Sequence, residues 1–234
     1  MYYKLSNTAA RTEIEAAFDI QFKHPHLYAP QVVIQGLNEA TLPIIAMEDR
    51  QKISFAIWGM LPTGFTDDWP IFQSVTNTLN LQESALLKKN WQTKAFKDRR
   101  CLVIVNGFFT SQIHQGRIQP YYVSMVDKKP FLLAGIYNKT ADGFLSCTIL
   151  LGKAKGLVKR SQSLTDQMPL IIDGDAVDTW LDRDSKRQTL RAILKTTQVS
   201  GLEVHPIAQD LFNQDISYDS ILEPLHDHQL HSLR

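Results

Sequence analysis

A run of five apolar residues, 101–105, constrains the fold of this chain more than any other feature. The run reads Cys-Leu-Val-Ile-Val and is followed by Asn106-Gly107. A short, mostly β-branched run that ends in a turn signal is typical of a buried strand rather than a helix. Downstream, aromatic and polar residues alternate from 108 to 113, and Tyr121-Tyr122-Val123 opens a further apolar strand. The sequence therefore predicts a β-core built from hairpins.

Length and charge limit the classes of protein to which this chain can belong. With 234 residues, 44% of them hydrophobic, the chain can bury one domain, which we expect over 1–234 with a flexible tail at 225–234. Lys and Arg number 25 against 24 Asp and Glu, so the chain is nearly neutral. Because the overall field is weak, any contact with nucleic acid must come from a local basic patch.

The two cysteines and the N-terminus indicate the cellular setting. Cys101 and Cys147 both lie in apolar, strand-like runs, which predicts buried free thiols, and their number excludes a disulfide framework. The N-terminal residues lack the apolar core of a signal peptide, and no run approaches the roughly 18 apolar residues of a membrane span. We expect a soluble, cytoplasmic protein without membrane association.

Periodicity and turn residues predict the other elements. Helices are expected at 8–22, 83–98, 176–181 and 185–196. Strands are expected at 31–34, 42–47, 53–60, 131–137 and 144–151. A polar turn at 48–52 and a loop at 153–163 connect neighbouring elements.

Several short motifs occur in an order that resembles one known family. They are Arg99-Arg100-Cys101-Leu102-Val103, Gly107-Phe108-Phe109, Gln119-Pro120-Tyr121-Tyr122, Ala134-Gly135-Ile136-Tyr137 and Trp58-Gly59-Met60-Leu61-Pro62. Their order and spacing are similar to the SOS-response-associated peptidase (SRAP) family of abasic-site processing proteins, from Met1 to about Pro224. The resemblance implies an α+β domain with a largely antiparallel, barrel-like β-sheet, peripheral helices and a groove across one face.

The resemblance assigns the family's nucleophile to position 2. Proteins of the family begin Met-Cys-Gly-Arg, and removal of the initiator Met exposes a Cys whose amine and thiol condense with the aldehyde of an abasic sugar. Tyr2 has no thiol. A bulky residue after Met1 also generally blocks removal of Met1, which would displace the reactive amine by one residue.

Two of the three further catalytic positions also differ from the family. Its Asn, Glu and His fall on Asn80, Thr110 and Thr165, so only the Asn that orients the N-terminus is kept. Placing the Asn on Asn77 instead agrees less well with the residues that follow. Threonine cannot act as a general acid or base near neutral pH.

The resemblance also identifies candidate DNA-binding residues. Two phosphate-binding Arg of the family correspond to Gln82 and Gln167, whose neutral amides cannot replace the charge. The cations nearby are Lys88, Lys89, Lys153, Lys155, Lys159 and Arg160. They form either a surface that follows the phosphate backbone or an ordinary solvated face.

Pro30 and Phe65 are candidate DNA contacts outside the basic segments. Ala29-Pro30 matches a family Pro that belongs to a wedge at the DNA surface, although a turn proline before a strand explains it equally on local grounds. Phe65 follows the Trp-Gly motif where relatives stack an aromatic ring on a base, a contact worth about 1–3 kcal/mol. Covering the core is the alternative for Phe65, as it is for Trp69.

No cofactor or metal is expected. His226, His228 and His231 cluster near the C-terminus, but only Asp227 lies near them as a further ligand. A frayed tail is therefore favoured over a metal site.

The leading hypothesis is a degenerate SRAP homologue that is catalytically impaired. Residues that act as a unit do not leave activity in proportion to the number retained. Such a protein would bind single-stranded DNA, including abasic sites, in a salt-dependent manner. One alternative is weak abasic-site chemistry through an imine at the Met1 amine or at Lys4. The other is a groove that binds a protein, of unknown identity, or a small ligand.

Overall fold

The computed structural model describes residues 2–88, 91–114, 116–196, 200–212 and 218–225. Its strands are β1 (Lys4–Asn7), β2 (Gln21–Phe22), β3 (Gln31–Gln35), β4 (Thr41–Ala46), β5 (Asp49–Trp58), β6 (Asn80–Gln82), β7 (Arg100–Val105), β8 (Gly107–His114), β9 (Arg117–Met125), β10 (Phe131–Lys139), β11 (Leu145–Lys153), β12 (Gln167–Pro169), β13 (Ile171–Ile172) and β14 (Leu202–Pro206). Its α-helices are α1 (Arg11–Phe18), α2 (Trp69–Val75), α3 (Trp91–Asp98), α4 (Gly156–Arg160), α5 (Val177–Leu181) and α6 (Arg187–Thr196). Short 3-10 helices cover Pro25–Leu27, Gly36–Asn38, Glu83–Leu87, Gly174–Ala176, Gln209–Phe212 and Asp219–Leu222.

The strands form two sheets. The smaller has the order β14-β9-β8-β1-β3, and the larger has the order β12-β11-β10-β7-β4-β5-β2, with β13 added on β10 and β6 on β11. Strand β11 also pairs in parallel with β5, where Cys147 lies opposite Trp58. This pairing closes β5, β4, β7, β10 and β11 into a ring. The expected α+β class with a largely antiparallel, barrel-like sheet is confirmed.

Burial on both faces explains why the run 101–105 contains no polar residue. The odd-numbered side chains from Cys101 to Val105 join a core shared by the two sheets. The even-numbered Leu102 and Ile104 join a second core beneath the helices. A strand covered on both faces has no polar side to alternate with, which leaves a continuous apolar run.

The hairpin and the state of the cysteines agree with the sequence prediction. Strands β8 and β9 pair antiparallel, with Phe109 opposite Tyr122. Cys101 and Cys147 are free and fully buried. None of the helices in the described ranges is long and apolar enough to cross a membrane.

The first predicted helix is too long at both ends. It was expected at 8–22, but α1 covers Arg11–Phe18. Asp19 takes a left-handed conformation with φ of 54°, which ends the helix. The chain then pairs Gln21–Phe22 with β5 instead of continuing as a helix.

Other boundaries shift for local reasons. The helix expected at 83–98 comprises a 3-10 helix, Glu83–Leu87, and α3, with Lys89 outside the described residues. The expected loop 153–163 contains α4, and β5 begins at Asp49 inside the expected turn. The predicted helices at 176–181 and 185–196 correspond to α5 and α6. Almost all of the tail expected at 225–234 lies outside the described residues.

Arg100 joins the large sheet to the helices above it. Its side chain begins on β7 and is only 1% exposed. Its Nε donates to the Trp180 carbonyl oxygen at 2.6 Å, and its Nη1 donates to those of Phe96 and Lys97 at 2.8 and 2.7 Å. Its Nη2 donates to the Asp182 carbonyl. The buried guanidinium therefore satisfies carbonyl groups at the ends of α3 and α5.

Replacing Arg100 with Met should destabilise the fold strongly. The carbonyl groups would stay buried without donors, and hydrogen bonds to a charged group contribute about 1.5–3 kcal/mol each. We expect the free energy of unfolding to fall by about 3–5 kcal/mol, measured by urea denaturation. Arg183→Met, at an exposed position, is the matched control and should change it by no more than about 0.5 kcal/mol. Equal effects of the two substitutions would contradict the role of Arg100.

Candidate functional site

Tyr2 fills the position that the family resemblance assigns to the nucleophile. It precedes β1, is 3% exposed and belongs to the core shared by the two sheets. Its ring packs edge-to-face on Phe108, with centroids 5.7 Å apart. The side chain is therefore a packed part of the core as well as a polar group.

The phenolic hydroxyl of Tyr2 takes part in a network of hydrogen bonds. Its oxygen lies 2.8 Å from Oε1 of Gln162 and 2.9 Å from the carbonyl oxygen of Gln167, both acceptors. Thr110 Oγ1 donates to the same Gln162 Oε1 at 2.8 Å. Gln162 Nε2 in turn donates to the Gln167 carbonyl at 3.0 Å. We call Tyr2, Thr110, Gln162 and the backbone of Gln167 the Tyr2 network.

Asn80 supports this network through the backbone. It lies on β6, which pairs in parallel with β11, and its Nδ2 donates to the Tyr2 carbonyl oxygen at 2.7 Å. Its Oδ1 is buried and has no hydrogen-bond partner within the described ranges. Asn80 thus holds the backbone at residue 2, which resembles the orienting role of the family's Asn.

Thr165 lies near the network but makes a local contact. It is half-buried, and its Oγ1 accepts a hydrogen bond from the Gln167 backbone N–H at 3.2 Å. This contact shapes the turn that presents the Gln167 carbonyl to Tyr2. The structure therefore brings Tyr2, Asn80 and Thr110 together, while Thr165 acts on the turn beside them.

Gln162 is the member of the site that sequence reasoning missed. It is 8% exposed and follows α4, in a segment that the sequence presents as a basic loop. Ser163 fastens this segment to β8, because its Oγ accepts from Ile113 N–H at 2.7 Å and its N–H donates to the Ser111 carbonyl at 3.2 Å. No periodicity or motif in the sequence signals these contacts.

The Tyr2 network contains only neutral groups. Burial raises the pKa of the Tyr2 phenol well above its usual value, so the phenol stays protonated. Neither thiol of the sequence offers a substitute: both are fully buried, and burial raises the pKa of Cys147 to about 12. The thiolate is the nucleophilic form of cysteine, so neither thiol is poised to react.

The predicted phosphate positions surround the carboxyl end of β11. Gln82 lies opposite Leu151 on one side of the strand, and Gln167 lies opposite Lys153 on the other. Gln82 and Lys153 are exposed, and Gln167 is half-buried. We call Gln82, Lys153 and Gln167 the β11 edge.

The other predicted cations are spread over a wider surface. Lys159 and Arg160 are exposed at the end of α4, and Lys155 precedes that helix. Lys155 Nζ donates to the Lys195 carbonyl at 2.6 Å, which ties it to α6. Lys88 lines a cleft beside α3 and α6.

Pro30 and the aromatic candidates occupy different environments. Pro30 is exposed and comes immediately before β3. Phe65 is half-buried and packs on Phe72, with centroids 4.9 Å apart, so part of its ring remains accessible. Trp69 is 5% exposed and begins α2, which makes it a core residue.

Gly59 allows the chain to turn in front of these aromatic residues. Its φ is +118°, and a Cβ atom there would lie 2.8 Å from Gln73 Nε2 and 2.9 Å from Trp69 Nε1. Both the backbone conformation and the space therefore require glycine. This requirement gives a physical reason for the glycine of the Trp-Gly motif.

No metal site is formed by the described residues. Among them, no group of three or more His, Cys, Asp or Glu side chains is arranged to hold a metal ion. The terminal histidines lie outside the described ranges.

The structure defines an α+β protein whose larger sheet closes into a ring. Tyr2, which precedes the first strand, belongs to a buried polar network. The family described as SOS response associated peptidase (SRAP) matches residues 1–214, and the chain belongs to this family.

Curated relatives of the family are similar to most of this chain. The abasic site processing protein YMR114C of Saccharomyces cerevisiae is 24% identical over 76% of this chain and 49% of its own length. The abasic site processing protein HMCES of Gallus gallus is 24% identical, and that of Xenopus tropicalis is 26% identical, each over 64% of this chain and 51% of its own length. The chain spans about half the length of the curated relatives it matches.

Solved structures support the fold. A protein from Bacteroides thetaiotaomicron has a TM-score of 0.85 at 18% identity, covering 96% of this chain and 100% of that chain. A protein from Bordetella bronchiseptica has a TM-score of 0.71 at 16% identity, covering 88% and 99%. At these identities the likeness concerns the fold alone.

Removing the Tyr2 hydroxyl should change how stability depends on pH. The folded-state pKa of Tyr2 is raised above its unfolded value near 10, so its contribution is complete below about pH 10 and is lost as the pH rises further. Tyr2→Phe should cost about 1–2 kcal/mol at neutral pH and reduce the loss of stability between about pH 10 and 12, measured by urea denaturation. Tyr3→Phe, at an exposed neighbouring tyrosine, is the control and should leave the profile unchanged. Identical alkaline profiles for Tyr2→Phe and the wild type would contradict the assignment.

Proposed function

We propose that this protein binds single-stranded DNA, including strands with abasic sites, without forming the covalent cross-link of its family. The observation that carries the absence of a cross-link is the Tyr2 network, and binding rests on the β11 edge. At the position of the family's nucleophile, a protonated phenol is packed in the core and hydrogen-bonded to neutral partners.

The chemistry of the network supports the loss of catalysis. A covalent abasic-site reaction needs a nucleophile and groups that transfer protons. Tyr2 is held protonated by burial, and Thr110 has no acid–base function near neutral pH. The amide of Gln162 completes the hydrogen bonding, so the cluster stabilises the fold but has no group that reacts.

The β11 edge supports binding without reaction. Gln82 and Gln167 stand where the resemblance places the family's phosphate-binding Arg; an amide is able to donate hydrogen bonds to a phosphate oxygen, and Lys153 supplies a nearby charge. Lys159 and Arg160 add exposed cations on α4. The curated relatives are abasic site processing proteins, which makes a DNA strand the appropriate partner.

Chemistry through Lys4 has less structural support. Burial lowers the pKa of its ammonium group, but Nζ donates to the Leu211 carbonyl oxygen at 2.9 Å. Lys4 lines a cleft of about 800 Å³ with Gln31, Gln35 and Phe212, and none of the residues of the Tyr2 network lines it. An imine formed at Lys4 would therefore lie away from the family's reaction centre.

A DNA-binding experiment tests the proposal directly. The purified protein is incubated with a single-stranded oligonucleotide that carries one abasic site, or with the intact strand, and analysed on native and denaturing gels across a salt series. We expect salt-dependent binding on native gels and no covalent band on denaturing gels, with or without borohydride.

The other outcomes are equally informative. A covalent band that is stable without borohydride would show that a cross-link still forms and would overturn the proposal. A band that appears only with borohydride, and disappears when amines are blocked, would identify imine chemistry. Failure to bind either strand at low salt would exclude DNA binding and favour a groove for a protein or small ligand.

Restoring the family's Arg at the β11 edge should strengthen binding. The double variant Gln82→Arg/Gln167→Arg adds two cations where the family binds phosphate, so the slope of log K against log salt for single-stranded DNA should steepen by about 1.4. Fluorescence anisotropy at several salt concentrations measures this slope. The control Gln21→Arg/Gln51→Arg makes the same change in net charge at exposed positions on β2 and β5. Equal slopes for the two variants would contradict phosphate binding at the β11 edge.

A further inference from the structure

A basic cleft lies on the helix-covered side of the large sheet. Its volume is about 830 Å³, and its apolar lining includes Leu87, Phe96 and Leu190. Five exposed cations also line it: Lys88, Lys94, Lys97, Arg183 and Arg187. We call these five residues and the space between them the basic cleft.

The positive charge of the basic cleft is poorly balanced. Asp184 is the only acidic residue in its described lining. Within the described ranges, the ion pairs of the chain involve Arg11, Lys128 and Lys129, and none involves a cation of the cleft. Because clustered like charges repel one another, a bound anion would relieve an unfavourable interaction there.

The positive surface continues along α6 beyond the basic cleft. Arg187, Arg191 and Lys195 are spaced four residues apart, so they follow one face of the helix over about 12 Å. They line a neighbouring depression of about 640 Å³ together with Leu87. An elongated row of cations suits a chain of phosphates better than a single phosphate group.

The basic cleft is separate from the Tyr2 network. Phe96 and Leu190 belong to the core beneath the helices, whereas Tyr2 belongs to the core shared by the sheets. The two regions therefore lie on opposite faces of β7. The β11 edge, in contrast, is linked to the basic cleft by the 3-10 helix Glu83–Leu87, which starts after Gln82 and ends before Lys88. At about 2 Å per residue, this helix spans about 10 Å.

We propose that the basic cleft and the α6 row form a second contact region for the phosphate backbone of a single-stranded nucleic acid. The strand would pass from the β11 edge along Glu83–Leu87 and onto α3 and α6. This inference rests on the proposed function for the class of partner, but it assigns binding to different residues. Because this path is about 10 Å long, a strand of about three nucleotides covers one region, whereas a longer strand reaches both.

A comparison of strand lengths tests the inference. Fluorescence anisotropy is measured with intact oligonucleotides of about 3 and about 24 nucleotides, which can occupy one region or both. The cleft variant is Lys94→Gln/Arg183→Gln/Arg191→Gln, whose positions are exposed or half-buried. It should bind the long strand at least about tenfold more weakly, with a salt slope lower by about 2, and should bind the short strand as the wild type does.

Two matched variants separate this inference from the proposed function. Lys23→Gln/Lys52→Gln/Lys129→Gln removes the same charge away from both regions and should leave long-strand binding unchanged. Gln82→Glu/Lys153→Glu alters the β11 edge and should weaken binding of both strands.

Each outcome bears on one proposal or on both. Unchanged long-strand affinity and slope in the cleft variant, with weaker binding in the edge variant, would overturn the inference and leave the proposed function intact. The reverse pattern would support the basic cleft and contradict DNA contact at the β11 edge. No binding of either strand by the wild type at low salt would overturn both.

Discussion

Burial of β7 on both faces is the constraint on which the other features depend. Its inward side chains pack in the core that holds Tyr2, and its outward side chains pack beneath α3, α5 and α6. Arg100, at the start of the same strand, satisfies carbonyl groups of the covering helices. One strand therefore fixes both the polar network on one side and the helical surface on the other, and a change in its register would displace both.

The Tyr2 network stabilises the start of the chain through hydrogen bonds between buried neutral groups. A buried phenol needs a hydrogen-bond partner, and Gln162 supplies an acceptor while its own amide donates to the Gln167 carbonyl. A charged carboxylate or imidazolium at the same depth would carry a desolvation cost that a neutral cluster avoids. Tyr2 and Thr110 fit each other physically, because each hydroxyl uses Gln162 Oε1. Asn80 contributes through the backbone, because its Nδ2 donates to the Tyr2 carbonyl oxygen.

The sequence predicted features whose signals are local, and it missed those that depend on distant contacts. The apolar run 101–105 and the alternation after it were sufficient for the β8–β9 hairpin, and the apolar runs around Cys101 and Cys147 were sufficient for the buried thiols. The length of the helix predicted at 8–22 was overestimated because the left-handed turn at Asp19 has no strong local signal in the sequence. Family motifs placed Tyr2, Asn80 and Thr110, but Gln162 contacts a residue 160 positions away through a loop fastened by Ser163. No local pattern encodes that contact.

The near-neutral total charge of the chain affects how the basic cleft attracts polyanions. The chain has 24 acidic residues against 25 basic ones, and 0.1 M salt screens the field of the basic cleft beyond the Debye length of about 10 Å. Long-range attraction of polyanions is therefore weak, although the field within the cleft is strong. Such a distribution contributes to affinity only after a strand is in contact. It would favour a strand already held at an adjoining surface over free polyanions, which is the arrangement we propose for the short path from Gln82 to Lys88.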